Sequence, residues 1–385
     1  MLKIQKQKQV RIVLTGGGSG GHFYPLLAVA IELKILASQK NIDLNLYYLG
    51  AIEKYYHQLF LKNNIVVRNI LGSKLRREFS LKNLIDFPKF IISILQSLWF
   101  LFWIMPDVLF SKGGLGSIGP IAAAVFYRIP ITVHESDSVP GIGTLIASRF
   151  AKLIFLSFSE TQSSLTAKCP MIVAGNPVRR ELISNISRPD IIKKFLGFKA
   201  ELPLILFLGG SQGATRINTI VLNHLSILLK KYQIFHQVGE KNYTEFQKTV
   251  DPILRSLPAY QSEKYLFADY FGKNLQDALT AGDLIVSRAG SGAIFEIAAF
   301  GKPSILIPFP EAAANHQALN AQIYVQSGAA AVIEEKNFSS ELFLRTIEKT
   351  LHNQDVYQTM SEKAKTFSRP KAALVIAEKI LELIQ

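Results

Sequence analysis

Four glycine-rich turns, each placed directly after a short apolar run, carry most of the chemistry in this sequence. The first, TGGGSGGH at 15–22, follows the run 10–14 and precedes a helical pattern beginning near Pro25. The second, KGGLGSIGP at 112–120, follows 108–110, and the third, GGSQG at 209–213, follows 204–208. The fourth, SRAGSG at 287–292, leads into a helix that carries Glu296. Glycine lets the backbone approach a ligand, and a helix N-terminus beyond it offers unpaired N–H groups and the positive end of a dipole. An anion, or the oxygens of a diphosphate, is the natural guest. Each loop taken singly is also readable as a plain strand-to-helix turn. No Gly-Lys-Ser/Thr follows the first loop, so it is not a Walker A loop, and its spacing does not fit the dinucleotide fingerprint.

Titratable and polar side chains lie beside these loops. His22 follows the first closely enough to project into a cleft there, and an imidazole suits general-base work; it is equally readable as a capping or packing residue. Glu135, in the pair His134-Glu135 before the turn SDSVPG, is a second base candidate or else a salt-bridged carboxylate. His316, Gln317 and Asn320 form a polar cluster after Pro308-Phe309-Pro310, suited to sugar hydroxyls or to capping a helix. No His-x-x-x-His or carboxylate cluster has metal-ligand spacing, and no metal or cofactor is expected. Around Ser291 only Gly-Ser-Gly occurs, one residue short of a nucleophile elbow. Cys169, the one cysteine, excludes a disulfide framework and fits a reducing cytoplasm.

The elements that must position these residues alternate between short apolar runs and helical stretches. Runs at 10–14, 44–49, 108–110, 131–134, 204–208, 234–238, 284–286 and 304–307 read as strands, with helical patterns between them, as at 25–36 and 291–300. Continuous rather than alternating apolar strands imply sheets covered on both faces, and the alternation with helices implies βαβ units. The 385 residues, 49% hydrophobic and 19% charged, exceed one core and exclude a disordered chain. The fold class expected is α/β, with two doubly wound parallel-sheet domains facing across a cleft. The turn Gly175-Asn176-Pro177 divides them into 1–175 and 176–368, with a helix at 369–385 free to pack back on either. All four glycine loops then fall at carboxyl ends of strands, where open α/β sheets bind ligands.

The net charge of +14 raises nucleic acid as a partner, but no recognition helix or RNA-binding sheet motif is visible, and none is expected. Attraction to anionic lipid and to a diphosphate substrate is the simpler account. Lys74, Arg76, Arg77, Lys82 and Lys89 outweigh Glu78 and Asp86 just before an apolar run at 90–105, which includes Trp99, Phe100, Phe102 and Trp103. Bounded by Pro88 and Pro106, that run would reach roughly 24 Å as a helix, short of a ~30 Å hydrocarbon core. Region 72–105 therefore reads as an interfacial anchor, with a buried core helix as the other reading of 90–105.

The run GGGSGGHFYPLLAVA resembles the signature of the MurG family, the UDP-N-acetylglucosamine (UDP-GlcNAc) transferases that complete the peptidoglycan lipid precursor. Further matching motifs follow in order: HESDSVPG (134–141), AGNPVR (174–179), LGGSQGATRIN (208–218), SRAGSGAIFEIAAFGKP (287–303) and PFPEAAANHQALNA (308–321). The resemblance implies a GT-B glycosyltransferase that moves GlcNAc, without a metal and with inversion, onto undecaprenyl-diphosphoryl-MurNAc-pentapeptide (lipid I). It would work as a peripheral protein at the cytoplasmic face of the cell membrane, with cell-wall synthesis proteins as further partners. Ser19, Gly20 and Gly21 match the loop reaching the donor sugar and diphosphate; Arg179 and Ser211 match donor-side residues. Ser291, Gly292, Ala293 and Glu296 match the nucleotide loop, with Glu296 accepting from ribose hydroxyls, and Gln317 and Asn320 match sugar ligands. His22 is the acceptor-side base, with Gly114 and Ser117 on the acceptor side too.

Some positions depart from the family pattern. Asp137 stands where the family usually has Asn, and a carboxylate cannot donate an amide hydrogen bond in a donor-sugar contact. The Gly-Gly-Tyr loop appears as Gly113-Gly114-Leu115, and the apolar contact to the base is replaced near Phe271-Gly272. These departures leave room for a related lipid acceptor such as diacylglycerol, or for a binding scaffold without catalysis; retention of His22 opposes the latter.

Overall fold

The computed structural model describes residues 8–17, 20–72, 81–210 and 213–384, for 81–87 the backbone alone. The chain divides into two compact units: one runs to Arg179 and resumes at Arg369, the other is Arg180–Ser368.

The first unit runs β1 (Gln9–Thr15), α1 (Gly20–Gln39), β2 (Asp43–Gly50), α2 (Lys54–Lys62), β3 (Val66–Asn69), α3 (Leu81–Ile104), β4 (Val108–Ser111), α4 (Ile118–Phe126), β5 (Ile131–Glu135), α5 (Ile142–Ser148), β6 (Leu153–Leu156) and β7 (Met171–Val173). Its seven strands are all parallel, in the order β3-β2-β1-β4-β5-β6-β7. The four central strands β1, β4, β5 and β6 are buried almost throughout, as a sheet covered on both faces requires. On one face α1 buries Phe23, Leu26, Leu33 and Leu36 against the sheet, and Phe23, Tyr48 and Phe60 meet in tilted and edge-on ring contacts.

The second unit runs α6 (Arg180–Ile183), α7 (Pro189–Phe195), β8 (Leu204–Leu208), α8 (Thr215–Lys231), β9 (Gln233–Gln237), α9 (Tyr243–Ser256), α10 (Ala259–Ser262), β10 (Tyr265–Ala268), α11 (Leu275–Ala281), β11 (Leu284–Ser287), α12 (Ser291–Ala299), β12 (Ser304–Leu306), α13 (His316–Gln326), β13 (Ala330–Val332), α14 (Ser340–His352) and α15 (Gln354–Phe367). Its six-stranded parallel sheet is ordered β10-β9-β8-β11-β12-β13. The last helix, α16 (Ala372–Ile384), belongs to the first unit, where Ile376, Ile380 and Leu381 join the α1 core and the Lys8 ammonium donates to the Ile384 carbonyl at 2.9 Å.

Two expectations change. The helix through the apolar run 90–105 is longer than its proline boundary suggested: α3 passes through Pro88 and starts at Leu81. Proline removes one helical hydrogen bond, and the apolar sequence beyond it keeps the helix going. Nor is that stretch a buried core helix. Ser93, Ser97, Leu101 and Ile104 face inward, and Gly119 of α4 sits so close that a Cβ there would lie 2.7 Å from the Ser93 hydroxyl. Ile91, Leu95, Trp99 (62% exposed), Phe102 and Trp103 (65% exposed) face outward, so the helix is more apolar outside than in. The α1 helix is long and apolar enough to cross a membrane by composition alone, yet its apolar side chains fill the first unit's core.

Candidate functional sites at the two sheet switch points

In the first unit the strand order reverses between β1 and β4, whose ends pair at Thr15 and Ser111. A crevice beyond the carboxyl ends at such a point is the expected ligand position. The loops leaving these strands pack on each other: a Cβ on Gly114 (φ +82°) would lie 3.0 Å from Gly17 Cα. His22, on the first turn of α1, closes the arrangement. Its ring borders both Gly17 and Gly114, and its Nδ1–H donates to the Lys112 carbonyl at 3.3 Å, which leaves Nε2 as the acceptor nitrogen. Burial first, then the Lys112 charge, push His22 down to about 4, so the imidazole is neutral at physiological pH.

The end of β5 adds a buried polar group. Glu135 accepts from the Asp137 N–H at 3.1 Å and the Gly141 N–H at 3.0 Å, and the Thr144 hydroxyl bonds it too. Burial, then the Asp137 charge, raise its carboxyl above the usual range. Both oxygens are occupied by the turn 135–141. Glu135, expected as a base candidate, is therefore a strut of that turn. Ser117, expected on the acceptor side, is buried and donates its hydroxyl to the Gly114 carbonyl at 2.7 Å, so it shapes the loop. Gly114 lies in the loop against His22, Gly20 opens α1 against the Tyr56 hydroxyl, and Gly21 is exposed. Arg179 stacks its guanidinium over the Tyr24 ring, 4.2 Å from the centroid. Asp137 is partly exposed, and its carbonyl accepts from Thr161 at 3.0 Å. Ser19 lies outside the described residues.

In the second unit the reversal falls between β8 and β11, paired at Leu208 and Ser287. Gly210 and Gly213 take φ of +75° and +79°, and Gln237 Nε2 donates to the Gly210 carbonyl at 2.7 Å. Ser211 lies outside the described residues. After β11, the chain turns at Gly290 into α12, whose first turn, Ser291, Gly292 and Ala293, has no side-chain cap. Its N–H groups are thus available to an anion. Glu296 is partly exposed on the same helix. Gln317 accepts from the Phe309 N–H at 3.0 Å through Oε1, which turns its amide –NH₂ toward other partners. Asn320, expected as a sugar ligand, has no exposed surface and donates to the Ala289 carbonyl at 3.3 Å; it ties α13 to the β11–α12 loop.

Lys112 and Arg288 received no role from the sequence. Arg288 donates through Nη1 to the Ile307 and Pro308 carbonyls at 3.1 and 3.2 Å and pairs with Glu335, bracing the 307–310 loop. A cation written between a buried strand and a glycine is the signal both share.

Residues 12–156 match the glycosyltransferase family 28 N-terminal domain, and residues 204–376 match the family 28 C-terminal domain. The chain is 33% identical over 383 residues to the UDP-N-acetylglucosamine–N-acetylmuramyl-(pentapeptide) pyrophosphoryl-undecaprenol N-acetylglucosamine transferase of Treponema denticola, covering 95% of this chain and 96% of that protein. It is 34% identical to the protein of the same name from Shouchella clausii, over 97% and 99% of the two chains. Among solved structures, Acinetobacter baumannii MurG shares the fold with a TM-score of 0.72 at 23% identity, covering 97% of this chain and 99% of that one.

Proposed function

The chain belongs to the family of UDP-N-acetylglucosamine–N-acetylmuramyl-(pentapeptide) pyrophosphoryl-undecaprenol N-acetylglucosamine transferases, and from that premise we infer how its two switch points divide the reaction. It is a UDP-GlcNAc glycosyltransferase that moves GlcNAc onto lipid I, the undecaprenyl-diphosphoryl-MurNAc-pentapeptide. The observation that carries the division of labour is His22: a neutral imidazole with Nδ1 tied to a carbonyl and Nε2 turned to the loops of the first unit.

The first unit serves the acceptor. His22 Nε2 removes the proton from the acceptor hydroxyl as that oxygen attacks the anomeric carbon of GlcNAc. The carbon–oxygen bond to the diphosphate breaks in the same displacement, the anomeric centre inverts, and UDP leaves with the bonding electron pair. The second unit serves the donor. The uncapped start of α12 offers partial positive charge to the departing diphosphate, which stabilises a charge that grows only in the transition state. Ser211 of this unit and Arg179, the residue at which the first unit ends, are the proposed donor-side partners of that diphosphate. Glu296 accepts from ribose hydroxyls, and the Gln317 amide reaches the sugar. No resident metal or cofactor has a step here.

Glu296→Ala tests the donor assignment. Loss of a charge-assisted hydrogen bond should weaken UDP-GlcNAc binding about 10–100-fold in calorimetry. Unchanged affinity would remove Glu296 from the nucleotide site.

The outward face of α3 docks the enzyme on the anionic inner leaflet, where its lipid acceptor resides. Trp99, Phe102 and Trp103 enter the headgroup boundary, helped by Lys89 and by Lys74, Arg76, Arg77 and Lys82, whose side chains lie outside the described residues. Replacing Trp99 and Trp103 together with serine should cut co-sedimentation with phosphatidylglycerol-containing vesicles by about tenfold or more. Equal binding by the double variant would place the membrane contact elsewhere. Cell-wall synthesis proteins are proposed as further partners.

A further inference from the structure

Lys112 is the least expected residue at the first switch point. Only 2% of it is exposed, whereas lysine is almost never fully buried unless something pairs with it. Its ammonium donates to the Ser136 hydroxyl, which in turn donates to Asn176 Oδ1 at 3.1 Å, so the side chain is fixed by the loops after β5 and β7. Its carbonyl accepts the His22 Nδ1–H, and its Cβ lies against Gly16, 3.3 Å from where a Cβ there would be. One residue thus touches the imidazole through its backbone and sets a charge beside it through its side chain.

The titratable groups around His22 come from three strand ends. Lys112 follows β4, and His134, Glu135 and Asp137 belong to β5 and its loop; Arg179, after β7, is engaged on Tyr24. Burial pushes Lys112 down to about 8, against the pull of Glu135 and Asp137, so it remains mostly cationic at neutral pH. His134 is buried neutral, with Nε2 bonded to the Gly175 carbonyl at 2.9 Å. Without the ammonium, the Asp137 charge would act on the imidazole unopposed and favour its protonated form, in which Nε2 has no lone pair to offer.

We propose that Lys112 is a positioning residue of the transfer reaction: its carbonyl fixes the His22 tautomer that bares Nε2, and its buried ammonium, held by Ser136, opposes the Asp137 charge beside the imidazole. This rests on the reading of His22 as the base. The ammonium does not touch substrate; it acts through the histidine.

The test compares full-length enzyme with Lys112→Met, which removes the charge at similar volume, and with Lys112→Arg, which keeps it. Proteins labelled with ¹⁵N-histidine are titrated by NMR, with the His22 signal identified by its absence in His22→Gln. The same proteins are assayed for GlcNAc transfer across pH. Lys112→Met should raise the His22 midpoint by about one pH unit or more and move the acid limb of kcat/KM upward in parallel, with KM for UDP-GlcNAc unchanged. Lys112→Arg should leave both near wild type. A folded Lys112→Met protein with an unmoved His22 midpoint overturns the proposal, even if its rate falls, because a packing role alone lowers rate without shifting the titration. A shifted midpoint with an unmoved acid limb instead overturns the base reading beneath it. If Lys112→Met does not fold, Lys112→Gln, which can still bond Ser136, carries the same comparison.

Discussion

Replacing His22 with alanine should lower turnover about 10²–10⁴-fold while changing UDP-GlcNAc affinity less than about twofold. The size follows from the role. A hydroxyl is a poor nucleophile, and a base held at hydrogen-bonding distance of its proton is worth several factors of ten. The selectivity follows from placement, since His22 sits among the acceptor-unit loops and the proposed nucleotide groups other than Arg179 are carried by the other unit. The pH sign is fixed by the same chemistry. A base works unprotonated, and His22 is pushed down to about 4, chiefly by burial, so the rate should stay level as pH falls from 8 towards 6 and decline only nearer 4. Pre-steady-state turnover and donor titration together check this. A variant that turned over at wild-type rate once saturated with donor would exclude His22 as the base.

Gly213→Ala should be the most damaging single substitution in the donor unit. The residue has φ +79°, and an added Cβ would lie 2.4 Å from the Val238 carbonyl and 2.2 Å from the Asn242 amide. The loop must move, which adds a clash to about 1–2 kcal/mol of left-handed strain. We expect UDP-GlcNAc affinity to fall by about 100-fold or more, together with a lower unfolding temperature. Two neighbours calibrate the result. Gly210 has φ +75° with nothing within 4 Å of its Cβ position, so alanine there adds strain alone and should cost about tenfold or less. Gly290 has ordinary φ and open space, so Gly290→Ala should be close to neutral for stability. Calorimetric titration with UDP-GlcNAc and thermal melts rank the three. Equal effects at 210 and 213 would show that the close approach is unimportant.

Most central strands were legible because burial on both faces writes a continuous apolar run, as in LILFL of β8, although the equally buried LIFL of β6 was not read as a strand. Edge strands such as β3, with sequence VVRN and mostly exposed side chains, and β10 have no such signature and were missed. The proline before the apolar run gave the wrong start for α3, because local propensity yields to the packing of Ser93 and Ser97 on α4.

Residue type and loop placement identified which side chains gather at the switch points, but not what each one bonds. Glu135 was read as a base candidate and Ser117 and Asn320 as ligand groups; Glu135 and Ser117 bond backbone atoms of their own loops and Asn320 bonds the Ala289 carbonyl of the β11–α12 loop, a distinction that depends on a tertiary distance. Lys112 was passed over for the opposite reason. A lysine beside glycines looks like a solvated turn until the fold shows it enclosed by Ser136 and the His22 ring.

The central claim, that this chain transfers GlcNAc onto the lipid-linked muramoyl-pentapeptide, is tested most directly by one assay. Radiolabelled UDP-GlcNAc is offered with a short-chain analogue of the muramoyl-pentapeptide diphospholipid, in the presence of EDTA. Labelled disaccharide-pentapeptide lipid should form, and its GlcNAc linkage should be of inverted configuration. Tight UDP-GlcNAc binding without labelled lipid product would contradict the account, and would direct attention to Asp137 and the Gly113-Gly114-Leu115 loop as the positions where acceptor recognition differs.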